Sequence, residues 1–232
     1  DGLLPETKGL GLNSKSSSWR DEPVVQAWEQ SLRDAGCTVD SLKPLNLLNK
    51  RNGDFLFALV EAQGRDPEDK PLLPYALLRG SACVVVPLCR NMETNERRFL
   101  MIRQRRVGNG HMSLEFPAGM IDGEHDPIAT AVRELEEETG MRVDRSQLTS
   151  LWERPLHSSP GLSDESIYFY AVEIEMDEKA WIALEGSEAG HTHEGEFITT
   201  TLKTFAEAAS ELTSLQPLLA FLLYERKFGA LP

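Results

Sequence analysis

The chain predicts a mixed α/β fold in which helices flank a sheet and a small β unit precedes the main domain. Apolar, β-branched runs bounded by polar turns recur along the sequence, as in Ala82 to Cys89 and Ser166 to Glu175. Other segments carry apolar residues at helical spacing, as in Asp126 to Gly140. A length of 232 residues allows one large domain, or one domain with a smaller attached piece.

The N-terminal third predicts an arm, a helix and two strands. Residues 1–20 are rich in Gly, Ser and Lys, a composition typical of a flexible arm. The segment Asp21 to Ala35 predicts a helix that Asp21 caps and Gly36 ends. The strands predicted next are Asp54 to Gln63 and Leu72 to Leu78. A boundary near Arg79 would divide a helix and β unit, residues 21–79, from a main domain, residues 80–232.

The main domain predicts further strands and a helical end. The predicted strands are Ala82 to Cys89, Arg98 to Arg103, Leu148 to Glu153, Ser166 to Glu175 and Glu196 to Leu202. The predicted helices, apart from Asp126 to Gly140, are a short one within Lys179 to His193, then Thr204 to Leu212 and Leu218 to Phe228, the last two separated at Ser214 to Pro217.

The net charge, the apolar runs and the cysteines of the chain limit the partners that it can bind and the compartment in which we expect it. The net charge of −13 argues against a nucleic-acid surface, because phosphate backbones attract an excess of Lys and Arg. No apolar run reaches the length of a membrane span. The three cysteines are odd in number and lack metal-ligand spacing, which predicts reduced thiols. We therefore expect a cytoplasmic location, or an organelle if a leader was removed.

The segment Asp126 to Gly140 concentrates negative charge. Like-charge repulsion among Glu134, Glu136, Glu137 and Glu138 costs helix stability unless a positive charge compensates it. Three of them, Glu134, Glu137 and Glu138, share one side of the helix, and that geometry suits a hard divalent cation. Ile128, Val132 and Leu135 would face the core, and Arg133 could orient a glutamate. The alternative is an ordinary solvated acidic helix.

The segment Gly119 to Met141, GMIDGEHDPIATAVRELEEETGM, resembles the Nudix box of the Nudix hydrolases. Gly119, Arg133, Glu134, Glu137, Glu138 and Gly140 hold the family spacing. The resemblance implies a Nudix α/β/α sandwich and an enzyme that splits a nucleoside diphosphate linked to another group. It also implies Mg²⁺, with Mn²⁺ as the alternative. The implied metal ligands are the carbonyl of Ala118 and the carboxylates of Glu134, Glu137, Glu138 and Glu196. One position departs from the family, because His125 replaces a Glu and Glu124 stands one residue early.

The flanking sequences are similar to the ADP-ribose and ADP-sugar diphosphatases within that family. The motifs are Ile102 to Arg106 (IRQRR) and Leu114 to Gly119 (LEFPAG). The resemblance implies that Arg106 binds the substrate phosphates, with Gln104 and Glu115 as further substrate contacts. A later turn, Ser159, Pro160 and Gly161, would lie beside the sugar. The alternatives are surface cations at Arg105 and Arg106 and a plain Pro-Gly turn.

An acidic loop completes the predicted site. In the subfamily such a loop supplies the catalytic base, a metal ligand, or both, which implies catalytic roles for Glu194 and Glu196 beside Glu137 and Glu138. Here Glu196 is the candidate metal-side carboxylate and Glu194 the candidate base. His191 and His193 also allow a zinc interpretation, although two loop histidines without further ligands are more often solvated.

The resemblance extends from about Ala27 to the C-terminus, and the arrangement looks especially like the plant-type ADP-sugar diphosphatases. It implies a homodimer built through the N-terminal β unit, with Trp19, Trp28, Phe55 and Phe57 as candidates for dimer packing, adenine stacking or plain burial. The predicted reaction is Mg²⁺-dependent hydrolysis of ADP-ribose or a related ADP-sugar to AMP and a sugar phosphate. The alternatives are a diphosphatase for a UDP-sugar or dinucleotide, and a module that binds nucleotide sugars without turnover.

Overall fold

The computed structural model of the protein describes residues 19–50, 53–121, 126–190 and 197–232. The chain divides into two units. The smaller unit comprises Asp1–Arg79 and Gly161–Asp164, and the larger unit comprises Gly80–Pro160 and Glu165–Pro232. Residues 1–18 of the predicted arm lie outside the described residues. Trp19–Asp21 forms a 3₁₀ turn.

The described part of the smaller unit packs one helix, α1 (Pro23–Asp34), on a three-stranded antiparallel sheet. The strands are ordered β1 (Thr38–Asn49), β2 (Phe55–Arg65) and β3 (Tyr75–Leu78). Its buried core consists of Val25, Ala58, Val60 and Leu78, against which Trp19, Trp28 and Phe55 pack. Trp19, Trp28, Phe55 and Phe57 are half buried, and dimer packing and adenine stacking stay predictions for them.

Helix α1 begins later than predicted. Its N-cap is Glu22, and Asp21 ends the 3₁₀ turn without capping the helix. Pro23 is the reason, because proline favours the first helical position and so places the cap immediately before itself. Gly36 follows the helix at φ +82°, a left-handed conformation that ends it as predicted.

The larger unit contains, among its described residues, a nine-stranded mixed sheet. Its strands are β4 (Ala82–Asn91), β5 (Arg97–Arg105), β6 (Met112–Glu115), β7 (Ala118–Met120), β8 (Thr149–Ser150), β9 (Leu156–His157), β10 (Ser166–Met176), β11 (Glu188–Ala189) and β12 (Ile198–Lys203). The order is β11-β12-β5-β4-β10-β8, with β6 paired to β5, β7 to β4 and β9 to β10. Strands β4 and β10 run parallel, and the other pairs are antiparallel.

Strands β4 and β5 diverge and leave room for the two short strands between them. They pair where Leu88, Cys89 and Arg90 face Phe99, Arg98 and Arg97. Further along, β7 takes the position beside β4 and β6 takes the position beside β5. Residues 112–120, which include the LEFPAG motif, are therefore held between two buried strands.

Helices cover both faces of this sheet. They are α2 (Pro127–Thr139), α3 (Glu178–Leu184), α4 (Phe205–Ala209) and α5 (Leu215–Phe228). On one face Phe99 packs with Phe221 and Tyr224 of α5, and on the other Leu100 clusters with Ala131 and Leu135 of α2. Adjacent strand residues point to opposite faces, so these two clusters lie on either side of the sheet. The predicted α/β/α sandwich is thereby confirmed.

Three predicted elements of the larger unit have clearly different bounds. The strand predicted at Leu148 to Glu153 is reduced to β8, because Asp144 and Gln147 form a capping box around a 3₁₀ turn just before it. The helix predicted from Leu218 starts at Leu215, since Pro217 lies in the first turn, where proline is tolerated. Helix α4 is shorter than the predicted Thr204 to Leu212.

The three cysteines are free thiols, as predicted. Burial raises the pKa of Cys83 and of Cys89 to about 12. No helix in the described ranges is both long and apolar enough to cross a membrane.

Candidate functional site

Helix α2 has sharply defined ends. Oδ1 of Asp126 accepts hydrogen bonds from the backbone N–H groups of Ile128 at 3.0 Å and Ala129 at 3.3 Å. These bonds, that of Ala129 most strongly, and the nearby Arg145 lower the pKa of Asp126. At the other end Gly140 adopts φ +73° and its N–H donates to the carbonyl of Glu136 at 2.8 Å. Both caps are as predicted.

The two sides of α2 differ as the spacing predicts. Ala131 and Leu135 are fully buried in the core, and Ile128 packs against it, whereas Val132 is only half buried. Glu138 is 6% exposed, and Glu134 and Glu137 are half buried. Carboxylates at this depth need hydrogen-bond donors or cations close by.

Strand β7 supplies one of those donors and leaves space for another carboxylate. The backbone N–H of Ala118 donates to Oε2 of Glu138 at 2.9 Å. A Cβ on Gly119 would lie 2.0 Å from Cδ of Glu134 and 2.1 Å from its Oε1. Helix and strand therefore approach so closely that only glycine leaves room for the Glu134 carboxylate. This contact gives a physical reason for the glycine that opens the motif.

Arg133 lies between two of the glutamates. Its Nη2 is 2.8 Å from Oε1 of Glu134, and its Nη1 is 2.8 Å from Oε2 of Glu137. Burial lowers the pKa of Arg133, but the charges of Glu134 and Glu137 outweigh that effect and raise it. The predicted contact between Arg133 and a glutamate is therefore present.

Glu136 is turned away from this group. Its Oε1 lies 2.6 Å from Nε of Arg142, and the pair is exposed. The sequence places Glu136 off the shared face, and the structure agrees.

The carboxylates are not gathered into a closed metal cage. Within the described ranges, no group of three or more His, Cys, Asp or Glu side chains is placed to hold a metal ion. Glu134 and Glu137 are instead paired with Arg133, whose side chain is half exposed. Ion pairs at such positions contribute little stability, so a cation can displace them. The donors are carboxylate oxygens, the ligands that hard divalent cations prefer, and the residues present fit such an ion.

Arg106 and Glu115 form an ion pair at the turn between β5 and β6. Nε of Arg106 lies 3.1 Å from Oε1 of Glu115, and Nη2 lies 2.7 Å from Oε2. The Glu115 side chain is 6% exposed, whereas that of Arg106 is 43% exposed. The structure thus brings together two residues that the sequence assigned separately to substrate binding.

Two uncharged polar groups lie beside this pair. Gln104 and Ser113 are directly opposite each other on β5 and β6, and both are buried. Within the described residues, Oε1 of Gln104 and Oγ of Ser113 have no hydrogen-bond partner. Alternation along β5 puts Gln104 on the face of Leu100, which is the face that α2 covers. Sequence reasoning missed Ser113, although its position two residues before Glu115 on a strand was a usable signal.

Other predicted site residues lie elsewhere or outside the described ranges. Ser159, Pro160 and Gly161 are exposed in the loop before β10, and Gly161–Asp164 belongs to the smaller unit. In that unit Leu162 accepts a hydrogen bond from the N–H of Leu77 at 2.7 Å. The predicted residues outside the described ranges are Glu124, His125, His191, His193, Glu194 and Glu196.

The NUDIX domain family model matches residues 80–211, more than half of the 232-residue chain. The chain therefore belongs to the Nudix family. Relatives that match most of the chain or a part of it include named hydrolases, and the protein is a hydrolase. A module that binds without turnover is accordingly not its function.

Three curated relatives differ in how much of the chain they match. Nudix hydrolase 14, chloroplastic, from Arabidopsis thaliana is 28% identical over 96% of this chain and 76% of its own length. The methanol dehydrogenase activator of Bacillus methanolicus is 39% identical over 33% of this chain and 40% of its own. The ADP-ribose pyrophosphatase of Bacillus subtilis (strain 168) is 35% identical over 34% of this chain and 41% of its own. The two bacterial matches thus span less than half of those proteins.

A solved structure shares the fold. The chain described as an ADP compounds hydrolase superposes with a TM-score of 0.57, covering 84% of this chain and 97% of its own. The sequences are 15% identical, so this similarity establishes the architecture alone.

Proposed function

We propose that the protein hydrolyses the diphosphate of ADP-ribose or a related ADP-sugar, giving AMP and a sugar phosphate. The observation that carries the proposal is the close approach of α2 to β7, which places Glu134 and Glu138 against Gly119 and Ala118. In the reaction an oxygen of water bonds to phosphorus while the bridging P–O bond breaks, and a base takes the proton. The names of two relatives, the ADP-ribose pyrophosphatase of Bacillus subtilis and an ADP-sugar pyrophosphatase of Mus musculus, support an ADP-linked substrate.

The carboxylates of Glu134, Glu137 and Glu138, with the carbonyl of Ala118, would hold a divalent cation. We propose Mg²⁺, with Mn²⁺ as the alternative. When bound, such an ion neutralises phosphate oxygens and makes water a better nucleophile. Arg133 already positions Glu134 and Glu137, and its guanidinium prevents those two carboxylates from repelling each other before the ion arrives.

The base and one further ligand come from the loop before β12. We assign Glu196 to the metal side and Glu194 to proton removal from water. Both precede Ile198, which pairs directly with Gln104 on β5. Ile198 therefore lies beside the strand that leads to Arg106. This position of Ile198 supports assigning the two preceding glutamates to the same site.

Arg106 would bind the diphosphate, since a guanidinium matches phosphate oxygens in bidentate geometry. Its half-exposed side chain sits at the end of β5, where an anion can reach it. Gln104 would provide a further polar contact, and Ser159, Pro160 and Gly161 would line the sugar side. The compartment, cytoplasm or an organelle, stays a prediction; one relative carries the word chloroplastic in its name.

A substrate panel tests the reaction. The purified protein would be incubated with Mg²⁺ and, separately, ADP-ribose, ADP-glucose, UDP-glucose and NADH, and release of nucleoside monophosphate would be measured. We expect AMP from ADP-ribose or ADP-glucose at the highest kcat/KM. Preferred release of UMP from UDP-glucose, or preferred cleavage of NADH, would contradict the ADP-sugar assignment.

A pair of substitutions on α2 tests whether the side of the helix that carries Glu134, Glu137 and Glu138, its metal face, binds the cation. Glu138→Gln keeps an oxygen that can accept from Ala118 but removes the charge, and we expect kcat to fall by about 100-fold or more. Glu136→Gln is the matched control, because it changes the same residue type on the opposite side of the helix. Equal activities for the two variants would rule out the assigned metal face.

A further inference from the structure

We infer that Glu115 is a positioning residue, which holds the guanidinium of Arg106 in the orientation that receives the substrate diphosphate and does not itself contact that diphosphate. The inference rests on the proposed function, since it requires Arg106 to bind a diphosphate. It differs from the role that family resemblance suggests for Glu115, which is direct contact with the substrate.

The geometry of the pair fixes the guanidinium plane. Three contacts join the two side chains: Nε of Arg106 lies 3.1 Å from Oε1 and 3.3 Å from Oε2 of Glu115, and Nη2 lies 2.7 Å from Oε2. Paired N–H···O bonds of this kind restrict both the tilt and the rotation of the guanidinium. Nη1 of Arg106 is not part of the pair. The edge of the guanidinium that carries Nη1 is therefore presented in a defined direction.

Burial separates the roles of the two residues. The Glu115 side chain is 6% exposed and lies on β6, which pairs with β5, whereas the Arg106 side chain is 43% exposed and follows the end of β5. A ligand approaching from solvent reaches the arginine first. A buried carboxylate needs a cation beside it, because an uncompensated charge at that depth is costly. Arg106 meets that need for Glu115.

Charge excludes direct contact between Glu115 and the diphosphate. Both groups are anionic, and at short range in a partly buried site they repel strongly. With Arg106 between them, the same carboxylate has a favourable effect, because it restrains a flexible side chain before the substrate arrives. Less conformational entropy is then lost on binding.

The experiment is a double-mutant cycle on Arg106 and Glu115. The readout is the Kd of the α,β-methylene analogue of ADP-ribose, which cannot be hydrolysed, measured by calorimetry with Mg²⁺ for the wild type, Glu115→Gln, Arg106→Ala and the double variant. We expect Glu115→Gln to raise Kd about tenfold in the wild-type background and less than about twofold in the Arg106→Ala background. Glu115→Asp, which keeps the charge, should recover part of the loss. In steady state, Glu115→Gln should raise KM more than it lowers kcat.

Thermal unfolding separates this role from a general loss of fold. Glu115→Gln should lower the Tm of the wild type but raise the Tm of Arg106→Ala, because the buried charge has lost its partner in that variant. Equal effects of Glu115→Gln on Kd in both backgrounds, or no effect in either, would overturn the inference while leaving the proposed function intact. If the wild type does not bind the analogue at all, the proposed function and the inference both fail.

Discussion

At the scale of single residues, Gly119 controls the position of a carboxylate. The Glu134 side chain occupies the space in which a Gly119 Cβ would stand, 2.0 Å from its Cδ. We predict that Gly119→Ala weakens the apparent affinity for Mg²⁺ by roughly tenfold, because the displaced carboxylate no longer lies with Glu138. The fold should persist, since the displaced atoms belong to the end of a flexible side chain. Activity measured over a Mg²⁺ titration checks this.

Gly108→Ala is the control for that substitution. Gly108 has no positive φ, and a Cβ built there meets nothing within 4 Å. Its Mg²⁺ dependence should match the wild type. A Gly119→Ala protein with unchanged Mg²⁺ dependence would show that the position of Glu134 is irrelevant to the metal.

Ser113 presents a second residue-scale prediction. Its buried Oγ has no hydrogen-bond partner among the described residues. Ser113→Ala should therefore leave the free energy of unfolding unchanged or raise it by up to about 1 kcal/mol. Ser166→Ala is the contrasting variant, because Ser166 Oγ lies 2.8 Å from Ser81 Oγ and its loss leaves that hydroxyl without its bond. Urea denaturation should show a loss of about 1 kcal/mol for Ser166→Ala, and an equal loss for both variants would contradict this account.

At the scale of elements, the acidic helix could be predicted almost to the residue because its signals are local. Asp126 and Pro127 begin α2 and Gly140 ends it, through backbone groups within a few positions. Strand β1 could not be predicted in this way. Pro44 and Asn46 interrupt its pattern, and its pairing with β2 includes register shifts at Val39/Ser41 and Pro44/Asn46. Long-range pairing sets this strand, and no local pattern reports it.

The same distinction holds for the candidate site. Shared helix spacing predicts that Glu134, Glu137 and Glu138 lie together. The pairing of Arg106 with Glu115 depends on the turn between β5 and β6, which brings strands β5 and β6 side by side. A sequence can suggest both residues, but their contact is a property of the folded hairpin. The burial of Ser113 opposite Gln104 is likewise a property of the folded hairpin.

The cap of α2 predicts a pH dependence. The folded-state pKa of Asp126 is lowered below its ordinary value of 3.8, chiefly by the N–H of Ala129. A lowered pKa contributes stability that is present above the unfolded value and lost as the pH falls through the folded value. The free energy of unfolding should thus decrease as the pH falls below 3.8. The asparagine of Asp126→Asn can still cap the helix but does not titrate. The free energy of unfolding of this variant should therefore decrease less than that of the wild type, and the two slopes against pH should differ by the uptake of less than one proton.

Urea denaturation at a series of pH values from about 5 to 2.5 checks the prediction for Asp126. Some decrease should remain in Asp126→Asn, because the pKa values of Asp144, Glu207 and Glu211 are also lowered by hydrogen bonds and nearby arginines. A slope identical to that of the wild type would show that Asp126 does not contribute.

At the scale of the whole molecule, the smaller unit exposes apolar surface that suits an interface. Leu45 and Leu48 near the end of β1 and Leu56 at the start of β2 are 43%, 36% and 38% exposed. Neighbouring exposed leucines often mark a contact with another chain. The family resemblance implies a homodimer built through this N-terminal β unit. We therefore propose that the protein is a homodimer that uses these leucines.

Light scattering during gel filtration tests the homodimer. The chain mass is 25.9 kDa, and we expect light scattering to give the wild type a mass of twice that value. Replacing both Leu45 and Leu48 by Asp should shift the mass to that of one chain, because burying two carboxylates at an interface costs more than the apolar contacts contribute. Ile182→Asp is the matched control, since Ile182 is 64% exposed in α3 of the larger unit. The Ile182→Asp protein should remain dimeric. A wild type at 25.9 kDa would refute the homodimer, and dimeric Leu45 and Leu48 variants would place the interface elsewhere.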